Sequence, residues 1–167
     1  KLYFRYSAMD AGKTLDLLKV AYNYEDRGQH TLVITSSVDR RAGDNKVKSR
    51  IGFDKEALST NAEDNLFDLI KQHTHEQKTA CVLVDEIHFF DSKQIIQLSD
   101  VADYLDLPVI CYGLRTDYRG EVFPASSTLL AIADTLEEVK TICHCGRKAN
   151  FNMLVRNGVA VKEGSQV

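Results

Sequence analysis

Ser7-Ala8-Met9-Asp10-Ala11-Gly12-Lys13-Thr14 lies between an apolar-aromatic run, Leu2 to Tyr6, and a helical pattern that begins at Leu15. A strand, a tight loop carrying Gly-Lys-Thr and then a helix is an anion-binding arrangement. Backbone N–H groups wrap the anion at the helix N-terminus, the lysine brings positive charge to the outer phosphates, and the threonine hydroxyl can ligate Mg²⁺. Ser7, Ala8, Met9, Asp10, Ala11, Gly12, Lys13 and Thr14 therefore form a candidate nucleotide phosphate loop. Ser7 stands where the usual G-x-x-x-x-G-K-[ST] pattern has its first glycine, so the flanking chain must carry the reading. The alternative is a surface turn with a solvated Lys13.

Working outward, strand and helix patterns alternate as a parallel sheet with covering helices requires. Leu15, Leu18, Ala21 and Tyr22 give the first helix an apolar stripe that Gly28 can end, and Thr31 to Thr35 reads as a second strand. The polar stretch from Ser36 to Arg50, with Lys46, Lys48 and Arg50, reads as a mobile loop. A helix is expected from Asn65 to Gln77 and a buried strand from Ala80 to Val84. Asp91 and Gln94 form a capping box for a helix whose apolar face runs from Ile95 to Leu105. Pro108 to Tyr112 is a strand, Gly113 to Phe123 a loop, Ser126 to Ala133 a helix and Leu136 to Ile142 a further strand. The expected fold is a P-loop, RecA-like α/β domain over residues 1–140, followed by a small subdomain over 141–167.

The strand at Ala80 to Val84 ends in Asp85-Glu86. An acid at the C-terminal end of a buried parallel strand faces the crevice where open α/β sheets bind ligands. Asp85 there would organise Mg²⁺ beside Thr14, and Glu86 could take a proton from an attacking hydroxyl or water. A helix cap for Asp85 and a solvated carboxylate for Glu86 are the alternatives.

A net charge of −3 gives no overall basic field, which argues against a nucleic-acid polymer as partner and leaves phosphate recognition local. No apolar run approaches the ~18 residues of a membrane span, and no signal-peptide pattern opens the chain, so a cytoplasmic setting is the expectation. The chain begins at Lys1 and ends at Val167 in a strand-like stretch, and both ends are expected to have been trimmed.

The four cysteines divide into two kinds. Cys81 and Cys111 sit in apolar strands and read as reduced core residues. Cys143-His144-Cys145-Gly146 reads as a turn that offers two thiolates to one metal, with two free thiols as the alternative. Asn157-Gly158 is a hairpin signal between Arg147–Arg156 and Val159–Val167.

Four separated motifs together resemble the bacterial branch of the type II, zinc-containing thymidine kinases: the phosphate loop, Val82-Leu-Val-Asp-Glu86, Cys111-Tyr-Gly-Leu-Arg-Thr-Asp-Tyr-Arg-Gly120 and Thr141-Ile-Cys-His-Cys-Gly-Arg-Lys148. The resemblance spans essentially the whole chain. It implies nucleoside salvage by phosphoryl transfer from MgATP to the 5′-hydroxyl of thymidine, with Glu86 as base and Thr14 and Asp85 on Mg²⁺. It further implies that Asp39, with Arg41 beside it, bonds the deoxyribose 3′-hydroxyl, and that Met9, Phe89, Leu114, Tyr118 and Phe123 enclose the base. Cys143 and Cys145 would hold structural Zn²⁺, its other two ligands lying beyond Val167, as would a loop that closes over the nucleoside. A homotetramer and feedback inhibition by dTTP also follow from the resemblance. His88 departs from the family, which usually has glutamine there, and reads as a structural hydrogen-bonding residue.

Other classes share parts of this pattern. Asp117-Tyr-Arg-Gly120 mimics the Asp-x-x-Gly motif of GTP switches, but it lies off the acidic strand, and Asn45-Lys-Val-Lys48 lacks the final acid of a guanine-reading motif. A RecA-like ATPase, or a non-catalytic nucleotide-binding regulator, remains the alternative reading.

Overall fold

The computed structural model describes residues 1–38 and 45–164. In chain order the elements are β1 (Leu2–Ser7), α1 (Lys13–Glu25), β2 (His30–Ser36), β3 (Lys46–Lys48), β4 (Asp54–Glu56), β5 (Leu58–Thr60), α2 (Leu66–Glu76) and β6 (Thr79–Val84). A 3₁₀ turn (Ile87–Phe89), α3 (Ser92–Tyr104), β7 (Val109–Leu114), α4 (Pro124–Ile132), β8 (Thr135–Glu138), β9 (Leu154–Arg156) and β10 (Val159–Val161) follow.

Six strands form one sheet in the order β5-β2-β6-β7-β1-β8, every pair parallel. The central strands read as unbroken apolar runs because both of their faces are covered. Leu32, Ile34, Val82, Val84, Val109 and Cys111 point to one side, where they pack on Leu66 and Ile70 of α2, Ile95 and Leu98 of α3 and Leu129 of α4. The alternate residues Val33, Cys81, Leu83, Ile110 and Tyr112 point to the other, against Leu17, Leu18 and Ala21 of α1. The result is a three-layer α/β/α sandwich. Its strand order reverses around β1, β6 and β7, so the loops after these strands share one crevice.

Burial of Cys81 and Cys111 agrees with their reading as core thiols. Burial pushes the Cys81 thiol up to about 11 and raises Cys111 further, which leaves both unreactive. The capping box forms as expected, with Gln94 N–H donating to Asp91 and the Gln94 side chain accepting from the Asp91 amide.

Three expectations change. The stripe of α1 is set one position off: Leu15 and Tyr22 are 39% and 66% exposed, and Leu17 takes the buried place beside Leu18 and Ala21. Part of the stretch read as a mobile loop is ordered, since β3 pairs antiparallel with β4; beyond that stretch, β5 forms an unforeseen edge of the main sheet. Finally, β8 stops at Glu138 instead of Ile142, which is 78% exposed and makes only an isolated bridge to Lys148.

After β8 the chain leaves the main sheet. Cys143 N–H donates to Arg147 O and Gly146 N–H to Cys143 O, which closes the cysteine turn, and β9 and β10 form the hairpin signalled by Asn157-Gly158. This segment is fastened back to the crevice. Arg115 is stacked between the rings of Tyr6 and Phe151, 5.6 Å from each centroid, and Asn152 Oδ1 accepts the Met9 N–H at 2.7 Å.

Candidate active site

The chain leaves β1 at Ser7 and enters α1 at Lys13, and Gly12 makes the connection with φ of 78°. That left-handed conformation suits glycine and costs most other residues about 1 kcal/mol or more. The turn brings Lys13 back over the loop, where its ammonium donates to Ser7 Oγ at 2.9 Å and to Ala8 O at 3.2 Å. Ser7, in place of the usual glycine, thus supplies an acceptor to the lysine beneath the anion seat. Met9, Asp10, Ala11, Gly12 and Thr14 form the open side of the loop.

The end of β6 supplies the second half. Thr14 Oγ1 donates to Asp85 Oδ2 at 3.0 Å, and Glu86 N–H donates to Asp85 Oδ1 at 3.0 Å. Asp85 is only 4% exposed. Burial, with a smaller contribution from the neighbouring Glu86 charge, pushes its carboxyl up to about 7, against the pull of the Thr14 hydroxyl, the Glu86 amide and Lys13. A buried carboxylate paired with a hydroxyl at a phosphate loop is an all-oxygen donor set that a hard divalent cation relieves, so Thr14 and Asp85 fit Mg²⁺.

Glu86 follows with φ of 49°, a left-handed conformation that a non-glycine residue holds only under constraint. The constraint is visible in the next turn. Ile87 is buried, and the 3₁₀ turn packs so closely on β7 that a Cβ at Gly113 would lie 2.6 Å from Ile87 Cγ2 and 3.2 Å from the His88 amide nitrogen. Gly113 therefore lets the segment carrying Glu86 seat on the sheet.

These groups open into one cavity of about 880 Å³. Lys13, Thr14, Asp85 and Glu86 lie on its wall with Met9, Phe89, Leu114 and Phe123, so four of the candidate base-contacting side chains meet the phosphate loop and the acids. Lys46, Lys48 and Arg50 of the β3–β4 hairpin line the same cavity, with Arg50 in a 2.5 Å ion pair to Asp10 of the phosphate loop. That basic lip was present in the sequence as charge, but nothing local said that the hairpin folds over the crevice.

Not every candidate converges. The Tyr118 ring is outside the cavity wall; its hydroxyl is buried without a hydrogen bond among the described residues, and a Cβ at Gly164 would come 3.0 Å from it. Asp39 and Arg41 lie outside the described residues. Asp117 is buried and organises its own turn, accepting from the amides of Arg119 and Glu121 and from the Arg119 guanidinium. The resemblance to a GTP switch thus reduces to a turn. Asn152 was missed altogether, because its contact with Met9 spans 143 residues of sequence.

At the cysteine turn, the Arg147 N–H directed at its sulfur, and then the contact with Cys143, hold the Cys145 thiol below its ordinary range. Two thiols on one turn, one of them held toward thiolate, fit half of a tetrahedral zinc site. Among the described residues no third Cys, His, Asp or Glu completes it.

Comparison with known proteins agrees with this geometry. The thymidine kinase family profile matches residues 1–166. The thymidine kinase of Francisella tularensis subsp. holarctica (strain LVS) is 64% identical over 167 residues, covering all of this chain and 85% of that protein. Those of Mannheimia succiniciproducens and Rhodopirellula baltica are 54% and 51% identical over 168 residues, covering all of this chain and 86% and 80% of those proteins. With a phosphate loop, an acidic strand end and an apolar wall in one crevice, and with full-length similarity of this order, the chain belongs to the thymidine kinase family.

Proposed function

We propose that this chain transfers the γ-phosphoryl group of ATP to the 5′-hydroxyl of thymidine, giving dTMP and ADP, with Glu86 as the base. The observation that carries this reading is the placement of Glu86 on the same cavity wall as Lys13, Thr14 and Asp85, with apolar side chains beside it. Phosphoryl transfer needs positioning and charge neutralisation more than covalent chemistry, and each group has a corresponding task. Lys13 and the loop amides hold the β- and γ-phosphates. Thr14 and Asp85 hold Mg²⁺, which supplies charge neutralisation at the phosphates. Met9, Phe89, Leu114 and Phe123 provide flat apolar walls for the thymine ring. Glu86 takes the proton of the 5′-hydroxyl as that oxygen bonds to the γ-phosphorus and the bond to the β,γ-bridging oxygen breaks, so that ADP leaves.

Asp39 and Arg41 at the deoxyribose, and Tyr118 at the base, rest on family resemblance alone. So do a homotetramer, inhibition by dTTP and a cytoplasmic setting. No helix among the described residues is long and apolar enough to cross a membrane. Cys143 and Cys145 are assigned to structural Zn²⁺ in a subdomain beginning near residue 141, with the remaining ligands supplied from outside the described residues.

The test is a product assay. ADP formation that requires thymidine and yields dTMP supports the kinase; phosphate release at the same rate without thymidine would replace it with an ATPase. Glu86→Gln should retain ATP binding and lower turnover by about 10²-fold or more, the usual cost of removing a positioned base.

A further inference from the structure

The imidazole of His88 is held on three sides. The Leu114 N–H points at Nδ1 at 3.2 Å, and the rings of Phe89 and Phe123 pack at centroid distances of 4.3 and 4.9 Å. Gly113 makes this seat available, because a Cβ there would also lie 3.2 Å from His88 Nδ1. A ring nitrogen that accepts from a backbone amide carries no proton, so the neutral ring has its N–H on Nε2. Nε2 lies 3.5 Å from Glu86 Oε2. We propose that His88 is a positioning residue that directs its Nε2–H at one oxygen of the Glu86 carboxylate and so presents the other oxygen to the nucleoside hydroxyl.

The chemistry favours this arrangement. Glu86 sits on a strained left-handed backbone, and its carboxylate has rotatable bonds of its own, so a general base at this position needs a group to fix its orientation. An aromatic clamp and a backbone donor make His88 rigid, which lets one N–H do that at little entropic cost. The 3.5 Å separation is long for a hydrogen bond, and catalytic contacts of this kind tighten when substrate closes the site. The inference rests on the reading of Glu86 as the base.

The experiment is a double-mutant cycle on the protein, with kcat, the two KM values and thermal melting measured for each variant. His88→Phe keeps an aromatic ring in the clamp but removes the donor. It should lower kcat on the order of tenfold, as loss of a hydrogen bond to a charged group does, with both KM values within about twofold. His88→Gln keeps an N–H donor and should recover most of that loss. In the Glu86→Gln background, His88→Phe should cost nothing further, since the carboxylate it orients is gone. Unchanged kcat in His88→Phe overturns the proposal, as does a loss as large in His88→Gln, or one that persists in full in the Glu86→Gln background. Should His88→Phe not fold, His88→Met, which also lacks the donor, takes its place in the same cycle. Normal turnover of Glu86→Gln alone would instead overturn the assignment of the base, and the role of His88 with it.

Discussion

The hydroxyl of Thr14 and the carboxylate of Asp85, 71 residues apart in the chain, meet at 3.0 Å on the wall of the crevice. One comes from the first turn of α1 and the other from the end of β6, so the contact exists only when the sheet is assembled. Without a cation, the buried Asp85 charge costs stability, since neither the hydroxyl nor the neighbouring amide replaces full hydration. Asp85→Asn should therefore melt at or above the temperature of the parent protein in chelator. It should also lose most of the stabilisation that MgATP gives the parent, because ligand stabilisation follows affinity. Differential scanning fluorimetry with and without MgATP measures both; an undiminished MgATP shift in Asp85→Asn would remove Asp85 from the cation site.

Lys13→Ala is expected to weaken ATP binding and to abolish measurable transfer, with a loss of about 10²-fold or more, as when a preorganised charge donor is removed from a transition state. Ser7 and Ala8 would lose the group they hold, but the fold should survive, since the Lys13 ammonium contributes nothing to the apolar core. Calorimetric titration with ATP is the check, and near-parental affinity with near-parental turnover would mean that the loop does not seat the triphosphate.

Gly113→Ala should be destabilising and catalytically damaging at once. The added methyl meets the Cγ2 of Ile87 at 2.6 Å, so the turn after Glu86 must shift, at a cost of about 1–3 kcal/mol for an overpacked site. Chemical denaturation and kcat are the measurements. Parental stability would show that the 3₁₀ turn yields without strain.

Far from the crevice, His30 and His73 approach Nε2 to Nε2 at 3.3 Å, joining β2 to α2. Burial, then the nearness of His73 and of Lys55, lowers the His30 pKa below its usual 6.5, while Glu25 pulls it the other way. A lowered base binds fewer protons folded than unfolded, so its contribution to stability is present above about 6.5 and is lost as pH falls through that value and below. Denaturation midpoints measured from pH 8 to pH 5 should fall on the acid side, and less so in His73→Gln. An identical slope in both proteins would dismiss the pair as the cause.

The main sheet was legible in the sequence because its strands are buried on both faces, so Ala80 to Val84 and Pro108 to Tyr112 announce themselves as apolar runs. The Gly12 turn and the Asp91 capping box were equally legible, being local chemistry. Leu15 and Tyr22 misled because periodicity fixes a helical stripe only to within a position, and here packing against Val33 and Leu83 chose Leu17. The short strands β3, β4 and β5 carry too few apolar residues to announce themselves: β3 and β4 pair locally as a hairpin, and β5 is created by pairing with β2 some 24 residues earlier. At the site, Lys13, Thr14, Asp85 and Glu86 could be found from motifs. The seat of His88 could not, since it depends on a glycine and a backbone amide contributed by β7 and on a phenylalanine beyond it. Asn152 was invisible for the same reason.

The 2.7 Å bond from the Met9 amide to Asn152 joins the phosphate loop to a segment 143 residues further along the chain. During synthesis, a ribosome that has released the chain through residue 140 has supplied every strand of the main sheet, the last of which ends at Glu138. At that moment the phosphate loop can already make its contacts with Asp85 and Arg50 but lacks the tie from Asn152. Its final rigidity waits on the emergence of a hairpin segment that makes up no part of the sheet beneath it.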